Sequence, residues 1–392
     1  MKRVLILTTS TGQGHNQAAK SLSELLQKND YECISYDFLS NSSKFLINAV
    51  VGGYEVSAMS FPGIYGFIYK LTNNRFINTL DNIPFLFVKK RLANLISLKK
   101  PDIIISTHPL CVCIMDKLKQ EGLNIPFISV VTDFKAHYTY IGKNVDAYIT
   151  GSNYTKQSLI NKNIKKDRIF PFGIPIRESF FDRDKNIPHI KGTEYFNILL
   201  MSGSMGLKNI SYVLDELLKN DNKLRITVVC GNNKNLKHNL MKHCTKEYKD
   251  KKLHILGFSN DISSFMEYSD VIISKPGGLT VTESIAKNLP LIIPFAIPGQ
   301  EKENTEFLTK EGYAFHVNDM KEINPIIDSL IENPAILEEM KNKLKSLADT
   351  YSSSSIVDLV NHLISNKDWY KKSFNFLYQS FYSKYYFFQI LL

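Results

Sequence analysis

A chain of 392 residues is longer than one hydrophobic core usually supports, so we expect two domains. Hydrophobic residues make up 44% of it, which is ordinary for a globular protein, and no stretch reaches the roughly 20 apolar residues that a membrane span needs. The net charge is +10, from 48 basic and 38 acidic residues. Because the basic residues are scattered and neither a zinc finger nor an RNA-recognition motif occurs, the charge favours an anionic membrane surface over nucleic acid as a partner.

The cysteines indicate a reducing compartment. There are five, an odd number, and most lie in apolar segments. Cys111 and Cys113 have no second pair at zinc-finger spacing, so we expect no metal site. We interpret the cysteines as reduced core residues of a cytoplasmic protein. A signal peptide is not expected, because the apolar run at 4–7 is short and leads directly into a glycine turn.

The chain begins with a predicted strand at 4–7, a turn with Gly12 and Gly14, and a helix to about Gln27. A dinucleotide-binding fingerprint would need glycine or alanine where Gln17 stands, so an NAD-dependent dehydrogenase is the weakest hypothesis. His15 lies at the helix start, where the helix dipole disfavours the protonated ring. The resulting low pKa suits a general base, although a histidine that only caps the helix has the same pattern.

An insertion over residues 43–100 interrupts the alternation of strands and helices. It is aromatic and basic, and its segment 61–69 contains Phe61, Ile64 and Phe67. Amphipathic segments of this kind are typical of proteins that lie at a membrane interface, so we predict these three side chains as membrane contacts. Helices packed on the first domain explain the same pattern, and one helix pair can do both.

Three further strands are predicted in the first domain, at 102–105, 127–131 and 147–150. The turns after the first two contain His108 and Asp133, and His137 follows shortly. Because the carboxyl ends of parallel strands share one edge of a sheet, we expect these turns to lie beside His15. His108 and His137 are secondary candidates, for which a structural role is an equally good interpretation.

The composition of the chain also indicates where its domains, linker and tail begin and end. The first domain is predicted over 1–176, a linker over 177–195, a second domain over 196–365 and a tail over 366–392. The tail combines aromatic residues with lysines, a composition that favours the headgroup region of a bilayer, but a helix packed on the first domain fits equally well.

The second domain carries the most informative segment. A predicted strand at 271–273 leads into Gly277 and Gly278, and a helix begins near Leu279. The free N–H groups of a helix start favour a phosphate, and Thr280 adds a hydroxyl donor. Glu283 lies about one turn further on, where a carboxylate suits a pair of sugar hydroxyls. The segment therefore indicates a nucleotide-sugar site.

A second predicted strand, at 291–295, is also followed by polar side chains. They include Gln300, Glu301 and Asn304. Ligands bind at the carboxyl edge of open parallel sheets, so we expect these residues at the same site. Helices are predicted at about 320–331, 334–347 and 354–365.

These motifs together resemble those of the lipid-directed glycosyltransferases, which include the bacterial processive diacylglycerol β-glucosyltransferases and the plant monogalactosyldiacylglycerol synthases. They are more distantly similar to the transferase that adds N-acetylglucosamine to lipid I in peptidoglycan synthesis. The resemblance spans about residues 2–364 and rests on Gly-x-Gly-His at 12–15, Ser-Thr-His-Pro at 106–109, Val-Thr-Asp-Phe at 131–134, Gly-Ile-Pro-Ile at 173–176, Lys-Pro-Gly-Gly at 275–278 and Pro-Gly-Gln-Glu-Lys-Glu-Asn at 298–304. It implies an α/β protein of the GT-B type, with two Rossmann-like domains facing each other across a cleft and C-terminal helices returning to the first domain.

The resemblance also implies roles for residues. His15 is the catalytic base, and Asp133 orients it or binds the acceptor. The donor UDP-sugar is bound by the second domain, with the diphosphate at Gly277, Gly278 and Thr280 and the ribose at Glu283. Gln300, Glu301 and Asn304 are expected at the hexose and adjacent phosphate, Ser204 and Gly14 near the phosphates, and Phe258 beside the uracil. The chemistry is expected to be inverting, with neither a metal nor a cofactor.

The resemblance predicts transfer of a hexose from UDP-glucose or UDP-galactose to diacylglycerol, with glucose favoured and repeated transfer an open question. The enzyme is expected in the cytoplasm, peripherally attached to the inner face of the cell membrane. A UDP-N-acetylglucosamine-dependent transferase for another lipid and a sugar-nucleotide epimerase on the same fold are the alternatives. A non-enzymatic lipid-surface protein is disfavoured, because His15, Glu283 and Gln300 are all present.

Overall fold

The computed structural model of the chain describes residues 1–9, 13–37, 62–74, 86–182, 194–201, 210–244, 248 and 250–365. Over these residues the chain forms two six-stranded sheets, and every strand pairing is parallel. The first sheet ends at Phe170 and the second begins at Phe196. The predicted α/β class with two Rossmann-like domains is therefore confirmed, while the exact domain boundaries stay a prediction.

The first sheet has the strand order β2-β1-β3-β4-β5-β6. Its strands are β1 (Lys2–Thr8), β2 (Tyr31–Asp37), β3 (Ile103–Ser106), β4 (Phe127–Val130), β5 (Ala147–Ile149) and β6 (Ile169–Phe170). The central strands are buried on both faces, which explains their nearly continuous apolar sequence. The strand β2 lies on one side of β1, and β3 and the later strands lie on the other side. The loops after β1 and β3 are therefore neighbours at the carboxyl edge of the sheet.

The second sheet has the order β12-β11-β10-β7-β8-β9. Its strands are β7 (Phe196–Met201), β8 (Leu224–Val229), β9 (Lys251–Leu256), β10 (Val271–Ile273), β11 (Leu291–Ile293) and β12 (Ala314–His316). The predicted strand at 291–295 is two residues shorter, because Pro294 has no N–H group to donate to the ladder.

Helices cover both sheets. In the first half they are α1 (Gln13–Gln27), α2 (Pro62–Thr72), α3 (Leu86–Lys99), α4 (Pro109–Gln120) and α5 (Asn153–Ile160). In the second half they are α6 (Ile210–Lys219), α7 (Lys234–His243), α8 (Ile262–Tyr268), α9 (Gly278–Ala286), α10 (Gln300–Lys310), α11 (Ile323–Glu332), α12 (Pro334–Ala348) and α13 (Ser353–Ser365). The three C-terminal helices match the predicted positions closely.

The last helix packs on the first sheet and not on the second. Ile356, Leu359 and Val360 of α13 are buried in one apolar cluster with Val4 and Ile6 of β1. The Tyr31 hydroxyl also donates a hydrogen bond to Asn361. The predicted return of the C-terminal helices to the first domain is therefore confirmed.

Two helices of the insertion, α2 and α3, lie in the described residues, and their environments differ. Val88, Leu92 and Ile96 of α3 are buried in the core of the first domain. In α2, by contrast, Phe67 is 63% exposed and Leu71 is 44% exposed. A packed helix is thus correct for α3, while α2 carries an exposed apolar edge. Across the ranges that the structure describes, no helix is both long and apolar enough to cross a bilayer.

Some of the predicted functional residues are not among those that the structure describes. Phe61, Ser204 and the tail 366–392 lie outside the described residues, and so does the side chain of Ile64. Their expected roles stay predictions.

Candidate active site

The two halves of the molecule contact each other through the loops at the carboxyl ends of their strands. The amide N–H of Phe134, after β4, donates to Asn304 Oδ1 of α10 over 2.9 Å. Gln300 Nε2, also on α10, donates to Asp133 Oδ2 over 3.0 Å. Polar residues predicted from both halves therefore meet in one closed cleft.

His15 lies in the first turn of α1 and is held by the first sheet. Its Nδ1 lies 2.8 Å from the Thr107 carbonyl oxygen and 3.1 Å from Thr132 Oγ1. A carbonyl oxygen can only accept a hydrogen bond, so Nδ1 carries the proton in this tautomer and Nε2 is the basic nitrogen. Burial lowers the His15 pKa from 6.5 to about 4, while the bond to Thr107 opposes the decrease.

The low pKa was expected from the helix dipole, but its main physical cause is removal of the ring from water. The consequence for chemistry is the same. His15 is neutral at physiological pH, with Nε2 ready to accept a proton.

Asp133 does not appear among the groups that hold the His15 ring. Its carboxylate is buried and accepts hydrogen bonds from the Tyr140 hydroxyl and from Gln300 Nε2, each 3.0 Å long. Burial raises its pKa from 3.8 to about 6, although both hydrogen bonds favour the ionised form. The ring-orienting contacts predicted for Asp133 are made instead by Thr107 and Thr132, so any effect of Asp133 on His15 is indirect.

The two secondary histidines both cap helices. His108 Nδ1 accepts from the Leu110 N–H at the start of α4, and its ring lies edge-on to His15 with 4.4 Å between the centroids. His137 caps the short 3₁₀ helix Tyr138–Tyr140, and its Nε2 lies 3.0 Å from the Tyr69 carbonyl oxygen. These contacts give both side chains a structural role, and a direct role for His108 stays a prediction.

The glycine turn after β10 places the start of α9 in the cleft. Gly277 is the N-cap residue, none of the described side chains caps the helix start, and Thr280 lies in the first turn, half-buried. A Cβ added at Gly14 would lie 3.9 Å from the Leu279 side chain, so the turn that carries His15 adjoins this helix start. A helix start with uncapped N–H groups is suited to an anion.

Glu283 lies on α9 and is buried. Within the described ranges, no side chain or backbone group makes a hydrogen bond to its carboxyl group. Burial raises its pKa from 4.5 to about 7, while the charge of Arg177 opposes the increase. A buried carboxyl group to which no described residue donates is suited to accept hydrogen bonds from a ligand.

The three predicted residues of α10 have different environments. Glu301 forms an ion pair with Lys275 (2.8 Å) and accepts from the Ile297 N–H. Asn304 is buried and uses both ends of its amide, because Nδ2 also donates to the Pro276 carbonyl oxygen over 3.0 Å. In this closed arrangement Glu301 and Asn304 therefore stabilise the loops around the site, and Gln300 reaches across the cleft.

Phe258 follows β9 and is 67% exposed, so in this structure its ring faces solvent. Among the described residues, no group of three or more histidine, cysteine, aspartate or glutamate side chains is arranged to hold a metal ion.

The turns after β3 and β4 were expected beside His15, but the hydrogen bonds of the Thr107 carbonyl and the Thr132 hydroxyl to its ring were not anticipated from the sequence. The Tyr140 hydroxyl was not anticipated at the site at all. Thr107 and Thr132 each lie just beyond the end of a buried strand, and that position was the available signal. Nothing in the sequence distinguishes Tyr140 from the other 19 tyrosines, the chain having 20 in total.

Two family profiles match the chain, one for each half. The profile described as monogalactosyldiacylglycerol (MGDG) synthase matches residues 15–176. The profile of the glycosyltransferase family 28 C-terminal domain matches residues 197–363. Together they include every strand of the two sheets except β1, and they include β7 from its second residue.

Curated relatives match over nearly the full length. The chain is 32% identical over 370 residues to the processive diacylglycerol beta-glucosyltransferase of Bacillus subtilis (strain 168), covering 91% of this chain and 94% of that protein. It is also 32% identical over 388 residues to the enzyme of the same name from Bacillus pumilus, covering 95% and 98%. Among solved structures, MurG of Acinetobacter baumannii has the same fold, with a TM-score of 0.61 and 16% identity over 92% of this chain and 100% of that one. The chain is a glycosyltransferase and belongs to the family of the processive diacylglycerol β-glucosyltransferases.

Proposed function

We propose that this protein transfers a hexose from a UDP-sugar to 1,2-diacylglycerol and forms a β-glycosyl diacylglycerol. The observation that carries the proposal is the junction of two features in one cleft. A neutral histidine with a basic Nε2 lies on the helix that begins beside the uncapped start of α9. The histidine is suited to accept a proton from a hydroxyl group, and the helix start is suited to bind a diphosphate.

The reaction follows from this arrangement. His15 Nε2 accepts the proton of the acceptor hydroxyl as its oxygen attacks the anomeric carbon. UDP leaves from the opposite face of the sugar, so the configuration at that carbon inverts. The negative charge that develops on the diphosphate is stabilised by the N–H groups and dipole of α9, with Thr280 as a further donor. These groups supply the stabilisation without a metal ion or a cofactor.

The donor extends from the start of α9 in two directions. The ribose hydroxyls donate to the buried Glu283 carboxylate, and the uracil lies towards Phe258. The hexose lies towards Gln300, at the junction with the first domain. Gly14, Glu301 and Asn304 shape the walls of this site, the last two through their contacts with Lys275 and Pro276.

Glucose is the donor sugar that we propose, since the relatives that match over nearly the whole chain are named glucosyltransferases. Their names also contain the word processive, and we extend repeated transfer to this chain on the same basis.

The acceptor lies in a bilayer, so we place the protein on an anionic membrane surface at the inner face of the cell membrane. The exposed Phe67 and Leu71 of α2 supply an apolar contact, and Lys70 beside them and the net charge of +10 supply attraction.

A single assay tests the reaction. Purified protein is incubated with liposomes that contain diacylglycerol and with UDP-glucose, UDP-galactose or UDP-N-acetylglucosamine in turn. We expect diacylglycerol-dependent release of UDP with UDP-glucose, and a lipid product heavier by one or more hexoses, with a β-anomeric proton signal. UDP release that does not depend on diacylglycerol, or no release with any donor, would reject the proposal.

A further inference from the structure

A chain of hydrogen bonds connects His15 to the donor half of the cleft. His15 Nδ1 lies 3.1 Å from Thr132 Oγ1, and Thr132 Oγ1 lies 2.8 Å from the Tyr140 hydroxyl. That hydroxyl lies 3.0 Å from Asp133 Oδ2, which also accepts from Gln300 Nε2 over 3.0 Å. We call the five side chains of His15, Thr132, Tyr140, Asp133 and Gln300 the relay.

The direction of each bond is fixed by its end groups. Asp133, when ionised, can only accept, so the Tyr140 hydroxyl donates to it. The Tyr140 oxygen is then free to accept from Thr132, and the Thr132 oxygen accepts from the His15 Nδ1–H. Every proton between His15 and Asp133 therefore points from His15 towards the Asp133 carboxylate.

The relay lies in a buried environment. The side chains of Thr132, Asp133 and Tyr140 are all buried. Burial also raises the pKa of the Tyr140 phenol well above 10, so this group stays protonated and remains a donor. In such a medium a negative charge acts over a longer distance than in water, because little solvent screens it.

We propose that Tyr140 is a positioning residue of the transferase, which with Thr132 couples the charge of Asp133 to the ring of His15. The proposal rests on His15 as the base of the proposed function. When His15 accepts the acceptor proton at Nε2, it becomes a cation whose Nδ1–H is shared with Thr107 and Thr132. The relay stabilises that cation with a carboxylate that does not touch it. Because Gln300 of the second half also donates to Asp133, the relay is complete only in the closed cleft.

The variant that tests the proposal is Tyr140→Phe, which removes one hydroxyl and keeps the ring. Its matched control is Tyr148→Phe, since Tyr148 is equally buried and, among the described residues, its hydroxyl binds only the backbone of Gly142. Thr132→Val is a second variant of nearly the same shape that interrupts the relay at a different point. Thermal melting of each purified full-length variant checks that it is folded.

The first readout is kcat at saturating UDP-glucose with diacylglycerol liposomes. We expect Tyr140→Phe to lower kcat by about tenfold or more, as the loss of one hydrogen bond to a charged group predicts, and Tyr148→Phe to lower it much less. Because both changes interrupt the same relay, Tyr140→Phe with Thr132→Val should lower kcat hardly more than either alone. Affinity for UDP should stay within about twofold of the wild-type value.

The second readout is the acid limb of the kcat–pH profile, which a purely structural role would not move. The groups that face the Asp133 carboxylate are the donors Tyr140 and Gln300 and the acidic Glu301 and Glu303 of α10. The Tyr140 hydrogen bond lowers the Asp133 pKa, so its removal raises that pKa, and less Asp133 is ionised at a given pH. The acid limb should therefore move to higher pH in Tyr140→Phe and stay in place in Tyr148→Phe.

The outcomes separate this inference from the proposed function. If the wild-type protein releases UDP with diacylglycerol and His15→Ala does not, the proposed function stands. A kcat and acid limb in Tyr140→Phe equal to those of Tyr148→Phe would then overturn the relay alone. Independent, additive losses from Tyr140→Phe and Thr132→Val would overturn it as well.

Discussion

Gly278, at the start of α9, packs against the backbone of Thr132 from the opposite half of the molecule. A Cβ added at Gly278 would lie 1.9 Å from the Thr132 carbonyl oxygen, a distance that no pair of such atoms adopts. The preceding Gly277 is different, because a Cβ there would meet nothing within 4 Å. Both glycines belong to one motif, but only Gly278 is needed for the cleft to close.

We therefore expect Gly278→Ala to hold the cleft open. The clash is with backbone, which cannot move aside as a flexible side chain can, so the two halves must separate. Turnover should fall on the order of a hundredfold, since a displacement of about 1 Å misaligns the reacting groups. Small-angle scattering should show a larger radius of gyration than for Gly277→Ala, which is the matched control for closure. Equal radii for the two variants would contradict this role of Gly278.

His15→Ala removes the proposed base. Turnover should fall by at least about a hundredfold, the usual contribution of a positioned general base, while UDP affinity stays close to wild type. Since the pKa of His15 is about 4, the wild-type ring is neutral above pH 5 and its protonation should not limit activity there. His254→Ala, which changes an exposed histidine on β9, is the control for steady-state kinetics. Near-normal turnover of His15→Ala would exclude this residue as the base.

The sequence predicted the sheets well because buried parallel strands are short, continuous apolar runs. The strand Val271–Ile273 was predicted at its observed bounds, and β3 was predicted within one residue. The glycine turn at 277–278 was also located, because a strand that ends in two glycines before a helix leaves few alternatives.

The contacts across the cleft were not predictable in the same way. Asn304 was expected at the donor, yet its amide joins Phe134 to Pro276. Asp133 was expected at His15, and Tyr140 is the side chain that connects it there through Thr132. Such partners depend on how the two sheets pack against each other, and a local pattern in the sequence contains no information on that packing.

The buried Glu283 should make the ligand-free protein less stable as pH rises. Its pKa is about 7 in the folded state against 4.5 ordinarily, so the folded state favours the protonated form. That contribution to stability is fully present below pH 4.5 and is lost as pH rises to about 7. In chemical denaturation, the free energy of unfolding of the wild type should fall by up to about 3 kcal/mol relative to that of Glu283→Gln as pH rises across this window. If the difference in unfolding free energy between the wild type and Glu283→Gln does not change with pH, the Glu283 carboxyl group ionises as it does in water.

UDP should change this ionisation if its ribose binds Glu283. Hydroxyl groups that donate to the carboxylate favour its charged form, so the pKa of Glu283 falls on binding. Near pH 6.5 the complex should then release up to about one proton. Titration calorimetry in buffers of different ionisation enthalpy measures this release. The wild type should show it and Glu283→Gln should not, and an equal release from both proteins would place the ribose elsewhere.

The exposed apolar edge of α2 should support docking on membranes. Phe67 and Leu71 lie four residues apart and so project from one side of the helix, with Lys70 between them. The opposite side contacts the donor half, where the Tyr69 hydroxyl donates to Glu303 Oε2 over 2.8 Å and Gly66 packs against Pro298. The helix thus connects the proposed membrane surface to the loop before α10.

Phe67→Ser with Leu71→Ser should therefore reduce sedimentation with anionic liposomes and lower turnover on them, while UDP affinity is unchanged. Salt should weaken wild-type binding, because it screens the attraction between the cationic protein and the lipid headgroups. Tyr212→Ser with Met241→Ser is the matched control, since these side chains are 64% and 55% exposed and lie on α6 and α7 of the other half. If both double variants sediment and turn over like the wild type, the protein docks through a surface other than α2.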